Sequence, residues 1–581
     1  MSDHHRHHHK QHKQHKQHKQ HKQHKQHKQH KQQQALDSLY AIGNVLTIKV
    51  TMPQTDWDAV RTEQPAGGVC NFEWTGDSRY TWRKATSVEI SGTSFPAQTM
   101  FTGVGVKKKS FCGSINSDKP CLHIDFGKFS KANLPLIEAL IGSRYLTLNN
   151  TIQDPSYIRQ PLGYKLLAMA GLPNSRCNFA RVFVNGTLIG QGVPGVNSPG
   201  IFVNAEPVMP RYIERNFNGN MNGNLYELEH GDDLVSARLP FMEPEAFSKF
   251  NNKADLQFAD NHIAANGLVG ANQMLDLDQF IKVYAMEFFL KHWDGYSNNT
   301  NNTYIYNDVD AVTAPGVNNV KFKWILWGID QIFQPNRHFK MATRGLIANL
   351  VRSDPARLAQ LINQIRTYRE TVFSRETQQT LLKPMIDQME ALLVGFGVPN
   401  AVSQIATVRQ QLRLAESAGY LCAGLPSTSA AYILKDDTSE CLHASNAKIP
   451  ATTPKPCFEV IHRPLADNND DSDLWRFNNL GTGKWVTNQA NGRFLHASNT
   501  LATGQGHKSL YTCEANNIDH AEEFSIVPFD TPDQFTFSGY FKLASVGTNL
   551  RVTYGSDTTP ESGGPRVYQD LDPNGSNLYL Y

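Results

Sequence analysis

The 581-residue sequence lacks several features that would place it in a common class of protein. None of its eight cysteines forms a Cys-x-x-Cys pair, which argues against a zinc site. No apolar run approaches the ~18 residues that a membrane-spanning helix needs, and no signal peptide is visible. The net charge of +3 comes from the first 34 residues, where Arg6 and eight lysines face only Asp3, so the rest of the chain carries about −5. This balance gives no support for a nucleic-acid-binding surface.

The first 34 residues have the composition of a disordered segment. The triplet His-Lys-Gln occurs eight times in succession from His9 to Gln32, and no apolar residue interrupts it. Such a segment has nothing to bury in a core, so we expect residues 1–34 to be disordered. An appended affinity or solubility tag explains the repeat better than a native arm does, and a tag could also have replaced a signal peptide.

The cysteines and the glycosylation sequons together favour an extracellular or cell-surface protein. Four cysteines fall in each half of the chain, an even number that is compatible with disulfides inside separate domains. The alternative is a cytosolic protein with buried free thiols. The sequons begin at Asn149, Asn185, Asn298, Asn301 and Asn574.

Residues 35–342 show the pattern of an α+β domain. Strand-like alternation occurs at 45–51, 87–90 and 122–126. Helical spacing between Asp154 and Gly171 predicts a helix that Asp154 caps and that Pro161 kinks. A further strand, 179–184, runs into Asn185-Gly186, a pair typical of a β-hairpin turn.

The rest of the chain divides into a helical part and a repetitive part. Residues 343–427 repeat apolar positions every three or four residues, which predicts helices near 346–351, 358–365, 381–393 and 402–418. Residues 428–581 contain Cys441-Leu-His-Ala-Ser-Asn446 and, 53 positions later, Phe494-Leu-His-Ala-Ser-Asn499, with a looser third copy at 549–553. Three repeats of about 50 residues predict a threefold closed β architecture. It resembles a β-trefoil of the ricin-B or MIR type.

One stretch supplies the residues of a metal-assisted reaction. A helix runs into a polar loop that holds Asp294, Asn299 and Asn302, and about 30 residues later an apolar strand ends at Asp330. Phosphoryl transfer needs one carboxylate at the attacking hydroxyl, a second carboxylate and an amide at Mg²⁺, and a lysine at the phosphates. These groups follow one another here in the order found in kinases.

The motifs around these residues resemble those of the CotH (spore-coat kinase) family. The family has a Trp-Asp-Gly-Tyr loop, a Tyr-x-Tyr strand and a Pro-Trp-Gly-x-Asp-Gln-x-Phe segment, and the corresponding motifs of this chain follow in the same order. Further matches extend the resemblance over about 380 residues. The matching segments are Trp293-Asp-Gly-Tyr296, Tyr304-Ile-Tyr306, Trp327-Gly-Ile-Asp-Gln-Ile-Phe333, Asp56-Trp-Asp58, Val104-Gly-Val-Lys-Lys-Lys109, Lys119-Pro-Cys121, Leu146-Thr-Leu-Asn-Asn150, Asp154-Pro-Ser156 with Arg159, and Gly223-Asn-Leu-Tyr226.

The resemblance implies an atypical protein kinase-like domain that uses ATP and Mg²⁺ or Mn²⁺ to phosphorylate Ser or Thr of secreted or surface proteins. Asp294 would be the catalytic carboxylate, and Asp330 would bind metal. Asn302 would provide the metal-binding amide, with Asn299 as its rival. The nucleotide-binding candidates implied by the resemblance are Lys119, then Lys108, and Glu206, which would lie at the nucleotide edge or hold structure.

The sequence departs from the family at the phosphate-covering loop, Ser110–Ser114, and at His123, where many members carry a second lysine. Several alternatives therefore stay open. Asp294 could be a turn residue, Asp330 could cap a strand or pair with Arg337, and Lys119 could be a solvated loop residue. The protein could also be a surface adhesin or glycan-binding protein with a weak or degenerate kinase-like domain. The trefoil could bind glycans, although His443 and His496 fit packing better than ligand binding.

Overall fold

The computed structural model describes most of the chain before residue 425 and mainly the strands after it. The described residues are 31–76, 78–93, 99–190, 200–245, 252–309, 315–424, 432–436, 440–448, 457–464, 473–480, 483–490, 493–501, 508–513, 523–528, 533–545, 551–558, 565–570, 576 and 578–580. They fall into two compact units. The first comprises Met1–Phe280, Asp294–Gln331 and Leu382–Ile405, and the second comprises Ile281–Trp293, Ile332–Leu381 and Ala406–Tyr581.

Helices and strands alternate through the first 290 residues. The elements are α1 (31–39), β1 (Leu46–Thr51), α2 (Gln54–Thr62), β2 (Arg83–Ser91), β3 (Thr99–Lys108), β4 (Leu122–Asp125), α3 (Leu134–Ile141), β5 (Tyr145–Asn149), α4 (Arg159–Met169), β6 (Cys177–Val184), β7 (Thr187–Leu188), β8 (Ile201–Ala205), α5 (Pro210–Asn216), β9 (Leu225–Leu228), β10 (Glu243–Pro244), α6 (Ala254–Met274) and α7 (Leu277–Leu290).

A hairpin, a run of helices and a second set of strands follow. The elements are α8 (Tyr296–Asn299), β11 (Thr303–Asn307), β12 (Phe322–Leu326), β13 (Phe339–Lys340), α9 (Leu346–Ser353), α10 (Pro355–Glu370), α11 (Arg375–Thr377), α12 (Lys383–Gly395), α13 (Ala401–Ala423), β14 (Tyr432–Asp436), β15 (Glu440–Lys448), β16 (Cys457–Pro464), β17 (Leu474–Leu480), β18 (Gly483–Asn488), β19 (Phe494–Leu501), β20 (Lys508–Cys513), β21 (Glu523–Pro528), β22 (Thr536–Phe537), β23 (Phe541–Ser545), β24 (Arg551–Thr558), β25 (Pro565–Asp570) and β26 (Leu578–Leu580).

The first unit is built on a closed ring of seven strands in the order β1-β2-β3-β4-β5-β8-β6. The ring closes because β6 pairs with β1 in parallel, with Ile48 opposite Val182. Apolar side chains that point into the ring form one core, which Leu36 and Leu39 of α1 join. The Asn185-Gly186 turn joins β6 to β7 with both residues at positive φ, as the sequence predicts.

Two details differ from the sequence predictions. Residues 31–34, assigned above to the disordered segment, belong to α1, where Gln33 accepts a hydrogen bond from Arg176; residues 1–30 lie outside the described residues. The helix predicted from Asp154 begins only at Arg159. Pro161 therefore lies in the first turn, where its missing N–H costs no helical hydrogen bond, and it does not kink the helix.

A smaller antiparallel sheet, β10-β9-β11-β12, completes the framework of the first unit. The hairpin of β11 and β12 pairs Thr303 with Leu326 and Asn307 with Phe322. Both ends of this hairpin point to the same edge of the sheet. The chain before β11 and the chain after β12 are therefore held next to each other, and these two segments carry the candidate site.

The second unit contains helices α9–α11 and, at its C-terminal end, a β-trefoil. Strands β14, β17, β18, β21, β23 and β26 pair in a closed ring of six. The hairpins β15–β16, β19–β20 and β24–β25 pair with one another through β16, β20 and β25. The equivalent repeat positions Ala444, Ala497 and Val552 are each 1% exposed. The repeat predicted from the sequence is therefore a threefold β structure, and its buried positions repeat with it.

Two disulfides lie one in each half of the chain, which is compatible with the even distribution of the cysteines, and the other four cysteines, all in the described residues, form no disulfide. Cys70 bonds to Cys112, and Cys457 of β16 bonds to Cys513 of β20. Among the described residues, no helix is long and apolar enough to cross a membrane.

Candidate active site

Two asparagines hold the carboxylate of Asp294 from both sides. The side-chain amide of Asn299, at the end of α8, donates to Oδ1 at 2.5 Å, and that of Asn302 donates to Oδ2 at 2.8 Å. Asn302 also donates to the backbone carbonyl of Asp294 at 3.1 Å. Three residues that the sequence singles out thus form one hydrogen-bonded group. The two amides fix the orientation of the carboxylate, and no cationic side chain in the described part of the chain pairs with it.

Asp330 reaches this group by way of the β11–β12 hairpin. The backbone N–H of Trp327 donates to the carbonyl of Asn302 at 3.0 Å, which joins the two ends of the hairpin. Gly328 follows with φ +55°, and a Cβ on it would collide with the side-chain oxygen of Asn302. A glycine is needed here both for its backbone conformation and for space. The chain then turns through Ile329–Gln331, which carries Asp330.

A third asparagine, Asn149, also belongs to the site, although the sequence analysis assigns it no role. It is the last residue of β5, and its side-chain amide donates to Oδ2 of Asp330 at 3.3 Å. The neighbouring Asn150 instead donates to the carbonyls of Ser114 and Lys119 and fixes that loop. The Asn-Asn pair was visible as part of the family resemblance. Only the contact with Asp330 distinguishes the two residues.

The surroundings of Asp330 disfavour its charged form. Burial, together with the nearby carboxylates of Asp154 and Asp294, raises the pKa of Asp330 to about 6, although the hydrogen bond from Asn149 opposes this rise. Asp154 has a counter-ion of its own, because Arg159 donates to it at 2.7 Å. Asp330 has the amide of Asn149 as a partner but no arginine among the residues that the structure describes. A cation bound beside it would therefore relieve both desolvation and like-charge repulsion.

The donor set suits Mg²⁺ or Mn²⁺ better than zinc. These ions bind in proteins through one or two carboxylates, with phosphate and water oxygens completing the shell. Asp330, with amide oxygens of Asn302 or Asn299, would provide such a partial shell. Within the part of the chain that the structure describes, no three His, Cys, Asp or Glu side chains are grouped to hold a metal ion by themselves. The residues present thus fit a cation that a phosphate ligand also holds.

Lys119 is buried, and none of the described residues gives it an anionic partner. It is 1% exposed, and its ammonium donates to the Thr151 hydroxyl at 3.3 Å and to the Tyr157 hydroxyl at 3.5 Å. Its ammonium also lies 5.1 Å from the ring centroid of Phe202. Burial lowers the pKa of Lys119 to about 7. The solvated alternative is therefore wrong.

The structure does not bring Lys108 into the same position. Its ammonium donates to the carbonyls of Arg61 and Glu63 at the end of α2, each at 3.0 Å. Because side chains alternate along β3, Lys107 and Lys109 lie on the other face. The ammonium of Lys109 is 5.3 Å from the ring centroid of Trp327, close to Asp330 in sequence. The alternation of side chains along a strand is the sequence signal that could have distinguished Lys108 from Lys107 and Lys109.

Glu206 is held by two arginines. Arg176 donates to Oε1 at 2.9 Å and Arg215 to Oε2 at 2.6 Å, and the carboxylate is only 3% exposed. The backbone N–H of Arg176 donates to the same carboxylate. This environment supports the structural alternative for Glu206 rather than a place at the nucleotide edge.

In the trefoil, His443 also has a structural environment. Its Nδ1 lies 2.9 Å from Asp473, which Arg463 contacts at 2.6 Å. Asp473 is buried, so the three side chains form a largely enclosed network. This supports the packing role expected for the histidine.

The first unit thus defines an α+β protein in which a hairpin joins two carboxylates, three asparagines surround them, and a lysine lies buried nearby. The family model described as "CotH kinase protein" matches residues 110–422, which is more than half of the chain. The chain belongs to this family, and the resemblance predicted from its motifs is confirmed. A search of curated proteins found no match.

Solved structures similar to this chain cover about a quarter of it. The cytolethal distending toxin of Haemophilus ducreyi is 20% identical, with a TM-score of 0.20, over 27% of this chain and 86% of that chain. ThreeFoil, a designed threefold-symmetric protein, is 19% identical, with a TM-score of 0.20, over 26% of this chain and 96% of that chain. The trefoil assignment above rests on strand pairing and not on these low scores.

Proposed function

We propose that this protein is an ATP- and Mg²⁺-dependent kinase that transfers the γ-phosphoryl group to Ser or Thr hydroxyls of extracellular or surface proteins. The observation that carries the proposal is the grouping of Asp294, Asn302 and Asp330 at the two ends of the β11–β12 hairpin. Membership of the CotH kinase family supports it.

Asp294 is the residue that would act on the acceptor hydroxyl. Asn299 and Asn302 each donate to one of its two oxygens, so the carboxylate is oriented before a substrate arrives. A carboxylate in this position orients the attacking hydroxyl and accepts its proton as the new P–O bond forms. The bond that breaks joins the γ-phosphorus to the oxygen bridging it to the β-phosphate.

Asp330 would hold the metal ion, with Asn302 or Asn299 contributing an amide oxygen. Bound Mg²⁺ or Mn²⁺ would neutralise charge on the β- and γ-phosphate oxygens. Lys119 would contact a phosphate oxygen, since among the described residues its buried ammonium hydrogen-bonds to the hydroxyls of Thr151 and Tyr157 and to no anion. Lys119 is buried and Asp330 is half-buried. Electrostatic interactions are stronger where water is excluded.

The extracellular location and the role of the trefoil are part of the same proposal. Two disulfides fit a protein that matures in an oxidising compartment. The trefoil would direct the enzyme to a glycan or to a protein surface. A glycan array probed with the full-length chain tests this. Binding to a defined set of glycans is expected if the trefoil is lectin-like. Binding to no glycan would favour the alternative, that the trefoil binds a protein surface.

The kinase proposal is tested by incubating the full chain with γ-labelled ATP and Mg²⁺ or Mn²⁺. We expect autophosphorylation that Asp294→Asn and Asp330→Asn each reduce at least a hundredfold. Asp387→Asn is a matched control, because Asp387 lies outside the site and pairs with Lys383 on α12. Circular dichroism and thermal unfolding would show that each variant is folded.

Three outcomes separate the possibilities. Labelling that survives in both site variants would contradict the assignment of the two aspartates. No labelling with any metal, but a thermal shift with ATP, would indicate a nucleotide-binding protein without turnover. Neither labelling nor a thermal shift would contradict the proposed function.

A further inference from the structure

One of the two disulfides anchors the loop that the family resemblance assigns to the phosphates. Cys112 lies in that loop, at the place where this sequence departs from its family, and it bonds to Cys70, 42 residues earlier in the chain. Both cysteines have a positive φ, 56° at Cys70 and 48° at Cys112. Residues other than glycine seldom adopt this backbone conformation. The bond therefore connects two loops that are each held in an uncommon conformation.

The phosphate loop, residues 110–114, lies next to the candidate site. Asn150 donates to the carbonyl of Ser114 at 2.8 Å, and the residue before it, Asn149, donates to Asp330. One end of the phosphate loop is thus attached to the strand end that contacts the proposed metal-binding carboxylate. The position of this loop therefore affects the space in which the phosphates of a bound nucleotide would lie.

The disulfide ties the phosphate loop to a second segment, the bridging loop (residues 66–76 and 78–79). Side chains of the bridging loop add to this attachment. The ring centroid of Phe72 lies 5.4 Å from that of Phe111, which belongs to the phosphate loop. The guanidinium of Arg79 lies 4.3 Å from the centroid of the same Phe111 ring. The bridging loop therefore holds the phosphate loop through one covalent bond and two side-chain contacts.

The same two side chains also contact the segment 229–233. Arg79 donates to the carboxylate of Glu229 at 2.6 Å. The ring centroid of Phe72 lies 5.1 Å from that of His230. Phe72 and Arg79 therefore each contact two segments that are more than 100 residues apart in the chain.

That segment in turn holds the loop of the proposed catalytic carboxylate. The hydroxyl of Tyr296 donates to Asp233 at 2.7 Å, and the N–H of Gly231 donates to the hydroxyl of Thr300 at 3.1 Å. Tyr296 begins α8 and Thr300 directly follows it, and the last residue of α8 donates to the carboxylate itself. A continuous set of contacts therefore runs from the phosphate loop, through the bridging loop, to the catalytic loop.

The disulfide in this set of contacts is accessible to a dissolved reductant, whereas the disulfide of the trefoil is buried. Cys70 is exposed, but Cys457 and Cys513 are only 7% and 5% exposed. Exposed disulfides are the ones that thiols reduce readily. A dithiol gives two electrons and two protons to the S–S bond, which leaves a thiol on each cysteine and converts the dithiol to its own disulfide.

We propose that the Cys70–Cys112 disulfide positions the phosphate loop relative to the catalytic loop, so that the protein is active when this bond is formed and loses activity when it is reduced. The two cysteines are positioning residues, because they act through the loops that they join. The inference rests on the proposed function. It means that the kinase becomes fully active only in an oxidising compartment.

The test measures autophosphorylation of the full chain at several ATP concentrations, with and without a low concentration of dithiothreitol. Alkylation followed by mass spectrometry shows which cysteines the reductant has opened. We expect reduction of Cys70 and Cys112 alone to lower kcat/KM for ATP at least tenfold, because a displaced phosphate loop no longer holds the nucleotide in line with the carboxylates. The change should appear chiefly as a higher KM. Reoxidation with glutathione disulfide should restore the original rate.

Two pairs of substitutions sharpen the test. Cys70→Ser combined with Cys112→Ser should show the low rate of the reduced protein whether or not reductant is present. Cys457→Ser combined with Cys513→Ser is the matched control, because it removes the buried disulfide of the trefoil. This control should keep both the rate of the unaltered protein and its response to dithiothreitol. Thermal unfolding shows whether each pair is folded at the assay temperature, and reduction of the unaltered chain decides if the first pair is not.

The outcomes separate the inference from the proposed function. If labelling continues at the full rate after alkylation shows that Cys70 and Cys112 are reduced, the inference is overturned while the kinase proposal stands. An equal loss of activity in the trefoil control would also overturn it, because the effect would then come from a general loss of stability. If the oxidised chain shows no labelling with Mg²⁺ or Mn²⁺, the proposed function fails and the inference fails with it.

Discussion

The first unit contains two carboxylates in opposite situations, the buried Glu206 after β8 and the half-buried Asp330 after β12. Glu206 is clamped by Arg176 and Arg215. Asp330 accepts a hydrogen bond from one amide and lies near two further carboxylates. A buried charge is tolerated when protein cations compensate it. The presence or absence of arginine partners therefore distinguishes a carboxylate that stabilises the fold from one that we expect to bind a ligand.

The buried lysines repeat the same contrast. Lys108 donates to two backbone carbonyls at the end of α2, whereas the hydrogen bonds of Lys119 go only to hydroxyls. A satisfied lysine caps a helix and supports the fold. An ammonium without an anion weakens the fold and gains from binding one. Both comparisons lead to the same expectation, namely that site residues contribute little to stability.

The largest effect should come from the two carboxylates. Glu206→Gln leaves two arginines without their shared counter-charge, so we expect it to destabilise the protein by about 3 kcal/mol. Asp330→Asn removes a half-buried charge that has no cation partner among the described residues, and stability should stay the same or rise. Thermal unfolding at pH 7.5 without metal measures both. Equal losses of stability in the two variants would contradict the distinction between Glu206 and Asp330.

A smaller difference is expected between the two lysines. Lys108→Met leaves the carbonyls of Arg61 and Glu63 without their donor, which should cost about 2 kcal/mol. Lys119→Met replaces a poorly paired buried ammonium with an apolar chain, so it should cost less than Lys108→Met while weakening binding of inorganic tripolyphosphate. Unfolding and tripolyphosphate titration on the same samples check both parts. Tripolyphosphate affinity that depended on Lys108 instead would reverse the assignment.

The smallest effect concerns the two asparagines that hold Asp294. Each makes a charge-assisted hydrogen bond to one carboxylate oxygen, so either alanine substitution should cost about 1 kcal/mol in unfolding. Asn302 contacts Asp294 twice and packs against Gly328, so Asn302→Ala should reduce metal affinity more than Asn299→Ala. Mg²⁺ titrations of the two variants show which amide oxygen binds the metal ion. A larger loss for Asn299→Ala would favour that residue.

Features that repeat locally were predictable from the sequence. The two near-identical segments around His443 and His496 predict the trefoil. Each copy of the repeat buries the equivalent positions, so the copies pack against one another. The Asn185-Gly186 turn predicts its hairpin, since few other residues adopt positive φ twice in succession. Helices α9, α10, α12 and α13 follow from apolar spacing.

Features that depend on distant contacts were not predictable. The parallel pairing of β1 with β6 joins segments that are more than 130 residues apart in the chain, and no local sequence pattern predicts this pairing. Asp154 resembles a helix cap, but its carboxylate is used by Arg159 and the turn at Ser156. The roles of Asn149 and Glu206 depend on which distant side chains they meet. Composition and spacing carry no information about such contacts.

The pH dependence of Mg²⁺ binding tests the account of Asp330 most directly. Because its pKa in the folded protein, about 6, lies above its ordinary value, the folded state holds this proton more tightly than the unfolded state does. The contribution of Asp330 to the free energy of unfolding therefore falls as pH rises from about 4 to about 6, and it stays constant above that range. Mg²⁺ competes with the same proton, so its affinity should rise through pH 6.

The measurement is the thermal shift produced by Mg²⁺ and ATP in the full chain between pH 5 and pH 8. The account predicts a shift that grows with a midpoint near pH 6 in the unaltered protein and in Asp387→Asn, and that is lost at every pH in Asp330→Asn. A shift that is independent of pH, or one that persists in Asp330→Asn, would contradict the assignment of Asp330 as the metal-binding carboxylate.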